Sequence, residues 1–310
     1  MKKILLLLLW GMVISSWATV KIMPLGDSIT YDNNWEDLDN PRPESMRSAY
    51  RNYLWYKLRD IGYSADFVGS RNAGSAIVPS FDPDNEGWPG WTSNEIAEKT
   101  YEWVKSANPD IILLHAGSND WDESPAGVEE ILSEIDRYET ESGKSIKVIL
   151  ALIIDRANHA DYIPSFNNNI KTVAQKRMDL GDNLTIVDMY SGAGIDYSTD
   201  MSDNTHPNDV GYEKMANVWY KAITGKSAPS KMYSQIEEEL IVVPETETTS
   251  PDSAIPDTTT PATTVPAQTD SLYEYPYTLV DEAYVIDVEV DEEARVVSFT
   301  TTIPDTGIQF

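Results

Sequence analysis

The amino-acid sequence predicts an α/β domain with a mostly parallel sheet. Five short apolar runs alternate with stretches of helical period. Several of these runs have no polar face, as expected of strands covered on both sides. Glycine or Asn-Pro follows most of the helical stretches, where helices commonly stop.

In chain order, Val20 to Leu25 reads as the first strand, stopped by Gly26. Residues 31–45 are rich in Asp, Asn and Pro and read as loop. Tyr50, Leu54 and Leu58 share a stripe within a helix over 46–61, and Gly62 follows it. Residues 65–69 form a short strand, and a long loop extends to about Thr92. Ser93 begins a helix carrying Ile96, Tyr101 and Val104, ended by Asn108-Pro109. Ile111–Leu114 is the third strand. A helix near 125–138 leads to a strand at 148–154, and a helix over 166–178 leads to a strand at 184–187. The last helix starts near Asn208, presents Met215, Val218, Trp219, Ala222 and Ile223 on one face, and closes at Gly225.

The ends of the chain have other characters. Lys2-Lys3, an apolar run from Ile4 to about Ile14, and Ser16-Trp17-Ala18 follow the plan of a secretory signal over 1–18. The run is shorter than the ~20 residues of a membrane span, so export and cleavage are expected, with no membrane attachment afterwards. The α/β domain is placed at 19–226. Residues 227–271 read as an acidic, Thr/Pro-rich linker without enough apolar surface to fold. The segment 272–310 carries two alternating stretches, near 284–290 and 296–300, that suit a β-hairpin of undefined role.

Net charge is −28, which disfavours nucleic acid or an anionic membrane as partner. From Ser227 onward there are 17 acidic residues against 2 basic ones, leaving 34 against 21 before that point. There is no cysteine, so disulfides, thiolate metal sites and a cysteine nucleophile are excluded.

In open α/β sheets the active crevice lies beyond the carboxyl ends of the strands. Four polar sites fall there. In Gly26-Asp27-Ser28, Ser28 follows a buried strand through a tight turn, a place suited to a nucleophile whose own N–H faces developing negative charge. Gly90, in Glu86-Gly87-Trp88-Pro89-Gly90-Trp91, offers a bare N–H just before a helix. Asn119, in Gly117-Ser118-Asn119-Asp120, can aim its amide into the crevice. In Asp203-Asn204-Thr205-His206, an Asp three residues ahead of a His can fix the imidazole tautomer. Each site taken alone also fits an ordinary turn, cap or polar loop. Together they meet the needs of acyl transfer: Ser28 as nucleophile, His206 as base, Asp203 as its orienting group, and an oxyanion hole from Ser28, Gly90 and Asn119. Of the other two histidines, His115 ends an apolar strand and suits a structural role, and His159, near Asp155 and Asp161, is the weaker candidate base.

These blocks resemble, in order and spacing, the SGNH (GDSL-type) hydrolases over roughly residues 20–224. The resemblance implies a flavodoxin-like three-layer sandwich with a five-stranded parallel sheet, and serine esterase chemistry with no cofactor; no residue is assigned as a metal ligand. Met23–Thr30, Tyr50-Arg51, Phe67–Ser70 and Glu86–Trp91 look like carbohydrate esterase family 3, whose members are chiefly acetylxylan esterases. Tyr31 departs from that pattern, standing where a glycine often follows the first block.

Trp88, Trp91 and Trp121 adjoin the site residues, as rings that stack on sugars would, although packing is an equally good use for them. The acidic loop Asp82–Glu86 offers oxygen ligands of the kind calcium takes, although a solvated loop is the plainer account of it. Tyr50-Arg51 either braces the site or starts a helix. The sequence thus points to a secreted, monomeric serine esterase acting on an acetylated polysaccharide such as xylan. A lipase or thioesterase of the same superfamily and a non-catalytic carbohydrate-binding surface protein are the alternatives.

Overall fold

The computed structural model describes residues 19–228 and, as backbone, 284–291 and 296–302. The signal read at 1–18, nearly all of the 227–271 linker and the ends of the C-terminal segment lie outside the described residues. The two units into which the chain divides are considered separately.

The first unit is a sheet between two helical layers. Its strands are β1 (Val20–Gly26), β2 (Ala65–Phe67), β3 (Arg71–Asn72), β4 (Asp84–Gly87), β5 (Ile111–His115), β6 (Lys147–Leu152) and β7 (Leu184–Asp188). The parallel body runs β2-β1-β5-β6-β7, the five strands and flavodoxin-like order expected.

Side chains alternate across this sheet with a period of two. Met23, Leu25, Ile112, Leu114, Val148 and Leu150 pack on α4 (Ser93–Ala107), α5 (Ala126–Ser142) and α6 (Tyr162–Leu180). Ile22, Ile111, Leu113, Ile149 and Ala151 pack on α3 (Arg51–Asp60) and α7 (Asp209–Thr224), where Trp219 is fully buried. The helix ends follow the sequence. Thr92 and Glu95 form a reciprocal capping box, Asn208 caps α7, and Gly143, Gly181 and Gly225 close their helices at positive φ.

The long loop read over 70–92 contains two further strands. β2 flanks only the first half of β1. β4 then takes the same side of β1, pairing Leu25 with Glu86 and Gly26 with Gly87, while β3 pairs antiparallel with β4. The changeover sits at Gly69, where a Cβ would lie 2.1 Å from the Asn85 carbonyl oxygen. Asp84–Gly87 lacks strand-like alternation because its polar side chains are satisfied inside the fold: Glu86 accepts from Ser70 and from Trp88 Nε1.

The loop at 31–45 also holds short helical turns, Glu36–Asp39 (α2) and Glu44–Met46 (3₁₀). The latter, followed by extended Arg47, delays the start of α3 to Arg51. The fully buried Arg51 guanidinium donates to the carbonyls of Thr30, Ala73, Pro83 and Arg47 at 2.9–3.0 Å. It therefore clamps the chain leaving Ser28. Tyr50 adds a 3.2 Å contact to Thr30 Oγ1 and a ring contact with Trp219. In the second unit, β8 (Tyr284–Asp291) and β9 (Val296–Thr302) pair antiparallel.

Candidate active site

The end of β1 sets the position of Ser28. Gly26 lies so close to β5 that a Cβ there would stand 2.2 Å from the His115 carbonyl oxygen, so only glycine lets the two strand ends meet. The chain then turns at Asp27, whose carboxylate accepts the Ile29 N–H at 2.9 Å. A single helical turn, α1 (Ser28–Tyr31), follows and stops at Asp32 in the left-handed region. Ser28 is thereby held at the carboxyl edge of the sheet, at the mouth of a turn clamped from behind by Arg51.

The residues 201–207 form a tight loop ahead of α7. Met201 bridges Pro207, and the His206 carbonyl accepts from Ser202 N–H at 2.8 Å. Inside it, Asp203 Oδ1 accepts the Thr205 and His206 N–H groups at 2.7 and 2.8 Å, and Oδ2 accepts the Trp35 N–H at 2.8 Å. His206 Nδ1 lies 2.9 and 2.8 Å from the two carboxylate oxygens. Burial tends to raise the Asp203 pKa. The hydrogen bonds from His206, Trp35 and Thr205 outweigh it and hold the carboxyl at about 2. An ionised carboxylate only accepts, so Nδ1 carries a proton, and in the neutral imidazole Nε2 then presents its lone pair. That lone pair faces Ser28 Oγ at 2.9 Å. Ser28, His206 and Asp203 therefore form one hydrogen-bonded line.

Gly90 lies in a turn made by Trp88-Pro89-Gly90-Trp91. Trp91 N–H returns to the Trp88 carbonyl at 3.2 Å, and Gly90 has φ +80°, the geometry of a type II turn with proline second and glycine third. Trp88 N–H donates to the Gly26 carbonyl at 2.9 Å, which fastens this turn to the strand end before Ser28. Asn119 Nδ2 donates to the Trp91 carbonyl at 3.0 Å. One amide hydrogen of Asn119 thus ties its loop to the Gly90 turn, and among the described residues the other has no hydrogen-bond partner. Asp120 fixes the same loop by accepting from Ser93 N–H and Oγ–H.

The tryptophans divide. Trp88 and Trp91 are half-buried and stack with Trp103, Trp88 at 5.2 Å and nearly parallel to it. Arg71 covers the Trp88 ring and lies 3.9 Å from the Tyr31 ring centroid. Mutual stacking gives Trp88 and Trp91 the packing use that the sequence also allowed, and leaves both rings partly exposed. Trp121 is 64 % exposed. Tyr31, the departure from the family pattern, is held by Glu44 at 2.7 Å and by Arg71.

The other histidines stand apart from this line. His115 is fully buried; burial lowers its pKa, and its Nε2 accepts from Ile154 N–H at 3.4 Å. His159 is half-exposed, bonded to Asp155 at 2.5 Å, and its pKa is raised by that carboxylate. The carboxylates at 82–86 are committed to protein donors, Asp82 to Phe67 and Asp84 N–H and Glu86 as above. Burial raises Asp82 to about 6 despite those bonds. Among the described residues no group of three or more His, Cys, Asp or Glu is arranged to hold a metal ion.

Two contributors escaped the sequence reading. Trp35 supports Asp203 through its backbone N–H, which no side-chain pattern marks. Arg156, buried after β6, contacts both the Asn119 loop and the His206 loop. A lone Arg next to an Asp in a loop carries no signal of burial.

Residues 25–214 match the model of the GDSL-like lipase/acylhydrolase family. A multidomain esterase of Ruminococcus flavefaciens is 34 % identical over 239 residues, which is 68 % of this chain and 29 % of that protein. The chain thus spans less than a third of that relative's length. Among solved structures, a Clostridium thermocellum family 3 carbohydrate esterase is 29 % identical with a TM-score of 0.55, covering 72 % of this chain and 98 % of that one. A family 3 carbohydrate esterase from Talaromyces cellulolyticus is 27 % identical with a TM-score of 0.54, covering 67 % and 97 %. The site geometry, the sheet order and these matches agree: the chain belongs to the GDSL-like lipase/acylhydrolase (SGNH) family, with family 3 carbohydrate esterases among its structural neighbours.

Proposed function

We propose that the protein is a secreted serine esterase that removes O-acetyl groups from xylan or a related plant polysaccharide through an acyl-enzyme on Ser28. The observation that carries the esterase reading is the line from Ser28 Oγ through His206 to Asp203. The likeness to family 3 carbohydrate esterases supports the acetylated-carbohydrate substrate, and exposed Trp121 supplies a ring for a sugar face. Export rests on the signal read at 1–18.

In this scheme Ser28 Oγ adds to the acetyl carbonyl while His206 Nε2 takes its proton. Asp203 stabilises the imidazolium that results. The N–H groups of Ser28 and Gly90 and the free hydrogen of the Asn119 amide bind the oxyanion. His206 then returns the proton to the departing sugar oxygen, and water attacks the acetyl-serine by the same route in reverse.

Acetate release from acetylated xylan tests the substrate, alongside 4-nitrophenyl acetate, a long-chain 4-nitrophenyl ester and Ser28→Ala as control. Acetate release with a preference for the short ester is expected. Hydrolysis confined to the long chain would replace this reading with a lipase, and polysaccharide binding without hydrolysis would replace it with a binding module. Asn119→Ala is expected to lower kcat about 10²–10³-fold, the cost of one oxyanion donor, with KM little changed. A larger rise in KM than fall in kcat would place Asn119 in ground-state binding instead.

A further inference from the structure

We propose that Arg156 is a positioning residue that sets the His206 loop against the Asn119 loop and seats Trp121 on the same unit; this rests on the esterase reading above. Arg156 follows β6 and is only 4 % exposed. Nη1 donates to Thr205 Oγ1 at 2.5 Å, and Nη2 donates to the Ser118 carbonyl at 2.7 Å and to Tyr162 Oη at 3.4 Å. Thr205 immediately precedes His206, and Ser118 immediately precedes Asn119. One planar group therefore fixes the residue before the base and the residue before the oxyanion amide, in loops 87 positions apart by the difference between 206 and 119. A guanidinium suits this because its donors keep fixed mutual angles, whereas an ammonium is a single point.

The same guanidinium lies 3.9 Å from the Trp121 ring centroid, which is close enough for a cation–π contact. Trp121 has φ +58°, a region that bulky residues enter only when their surroundings hold them there. Its ring is nonetheless mostly exposed, so the arrangement presents the ring to solvent rather than burying it in a core. The Arg156 loop is also pinned to the His206 loop from its own side, by Ala157 N–H to the Asn204 carbonyl and Asn158 N–H to Asn204 Oδ1.

Among the described residues Arg156 has no carboxylate in ion-pair contact; its acceptors are a hydroxyl, a carbonyl and a phenol. A buried cation compensated only by neutral acceptors is a poor way to gain stability, because desolvation offsets much of the bonding. What it supplies is a fixed distance between two loops, and misplacement by about 1 Å at a reacting centre costs on the order of 10²-fold in rate.

The test compares wild type, Arg156→Lys and Arg156→Ala, with competent serines counted by titration with a fluorophosphonate so that rates are per folded site. On 4-nitrophenyl acetate, Arg156→Lys is expected to lose about 10- to 100-fold in kcat with KM little changed. On acetylated xylo-oligosaccharides its KM is expected to rise as well, by roughly 3- to 10-fold, as the Trp121 ring loses its support. Methylguanidinium added to Arg156→Ala is expected to restore part of kcat, and methylammonium is not. Should Arg156→Ala fail to fold, Arg156→Lys alone decides. Wild-type kcat per titrated site in Arg156→Lys, with only its melting temperature lowered, would overturn the proposal by showing a structural role. A wild-type protein inactive on both the acetate and the long-chain 4-nitrophenyl ester would overturn the esterase reading itself, and the proposal with it.

Discussion

Replacing Ser28 with alanine is expected to lower kcat on an acetyl ester by about 10⁵–10⁶-fold, with His206→Ala equally severe and the double variant no worse. The reason is that the two side chains act as one unit. Ser28 Oγ lies 2.9 Å from His206 Nε2, so removing either end leaves the other without its task. His159→Ala is expected to retain wild-type kcat. Its half-exposed ring is paired with the buried Asp155, and the hydrogen bond to Ser28 Oγ is made by His206 instead. Steady-state kinetics on purified variants, checked for native circular dichroism, decide the matter. Loss of activity in His159→Ala with survival in His206→Ala would mean that the base has been misassigned.

The parts of the site legible in the sequence were those built from local chemistry. An apolar run that stops at Gly26-Asp27-Ser28 announces a strand edge, because the glycine is forced by the neighbouring strand and Asp27 is a local cap. Asp203 and His206 were paired from spacing alone, and a short loop makes that spacing nearly sufficient. The five parallel strands were legible because burial on both faces removes the polar alternation.

What stayed hidden depends on long-range partners. β4 is written Asp-Asn-Glu-Gly, and nothing in those four residues marks a strand. It pairs because β2 ends at Phe67 and leaves half of β1 open. The stacking of Trp88 and Trp91 on Trp103 is not legible in the sequence, because Trp103 lies in the next helix and only the fold brings its ring to theirs. Arg51 was recognised only as a brace or a helix start. Its five carbonyl acceptors come from positions 30, 31, 47, 73 and 83, a convergence that exists only after folding. The acidic loop at 82–86 has the composition of a cation site, but its Asp82 and Glu86 carboxylates turn inward to backbone and side-chain donors.

Asp203→Asn is expected to lower kcat by about 10⁴-fold near neutral pH, and to remove a part of the stability that depends on acid. The catalytic effect follows from which atoms Asp203 serves. Its Oδ1 accepts two backbone N–H groups and Oδ2 accepts one, so the single oxygen of an asparagine will take the Oδ1 place. The NH₂ group then occupies the Oδ2 place and faces both Trp35 N–H and His206 Nδ1. A donor there opposes the proton on Nδ1, although Oδ1 stays 2.9 Å away, and favours the tautomer with the proton on Nε2, which can no longer accept from Ser28. The stability effect follows from the carboxyl being held at about 2 instead of its ordinary 3.8. A group whose pKa is lowered by folding stabilises the folded state fully above its unfolded value, and loses that contribution as pH falls through its folded value. The difference corresponds to at most about 2 kcal/mol, reduced to roughly 1 kcal/mol by solvent screening at a half-open site. Wild type is therefore expected to exceed Asp203→Asn in melting temperature at pH 6, and the gap is expected to narrow between pH 4 and pH 2. Other carboxylates titrate in that window in both proteins, so it is the gap, and not either curve, that reports on Asp203. A gap that stays constant down to pH 2 would mean that the carboxylate is not held by these bonds, and that His206 is oriented by something else.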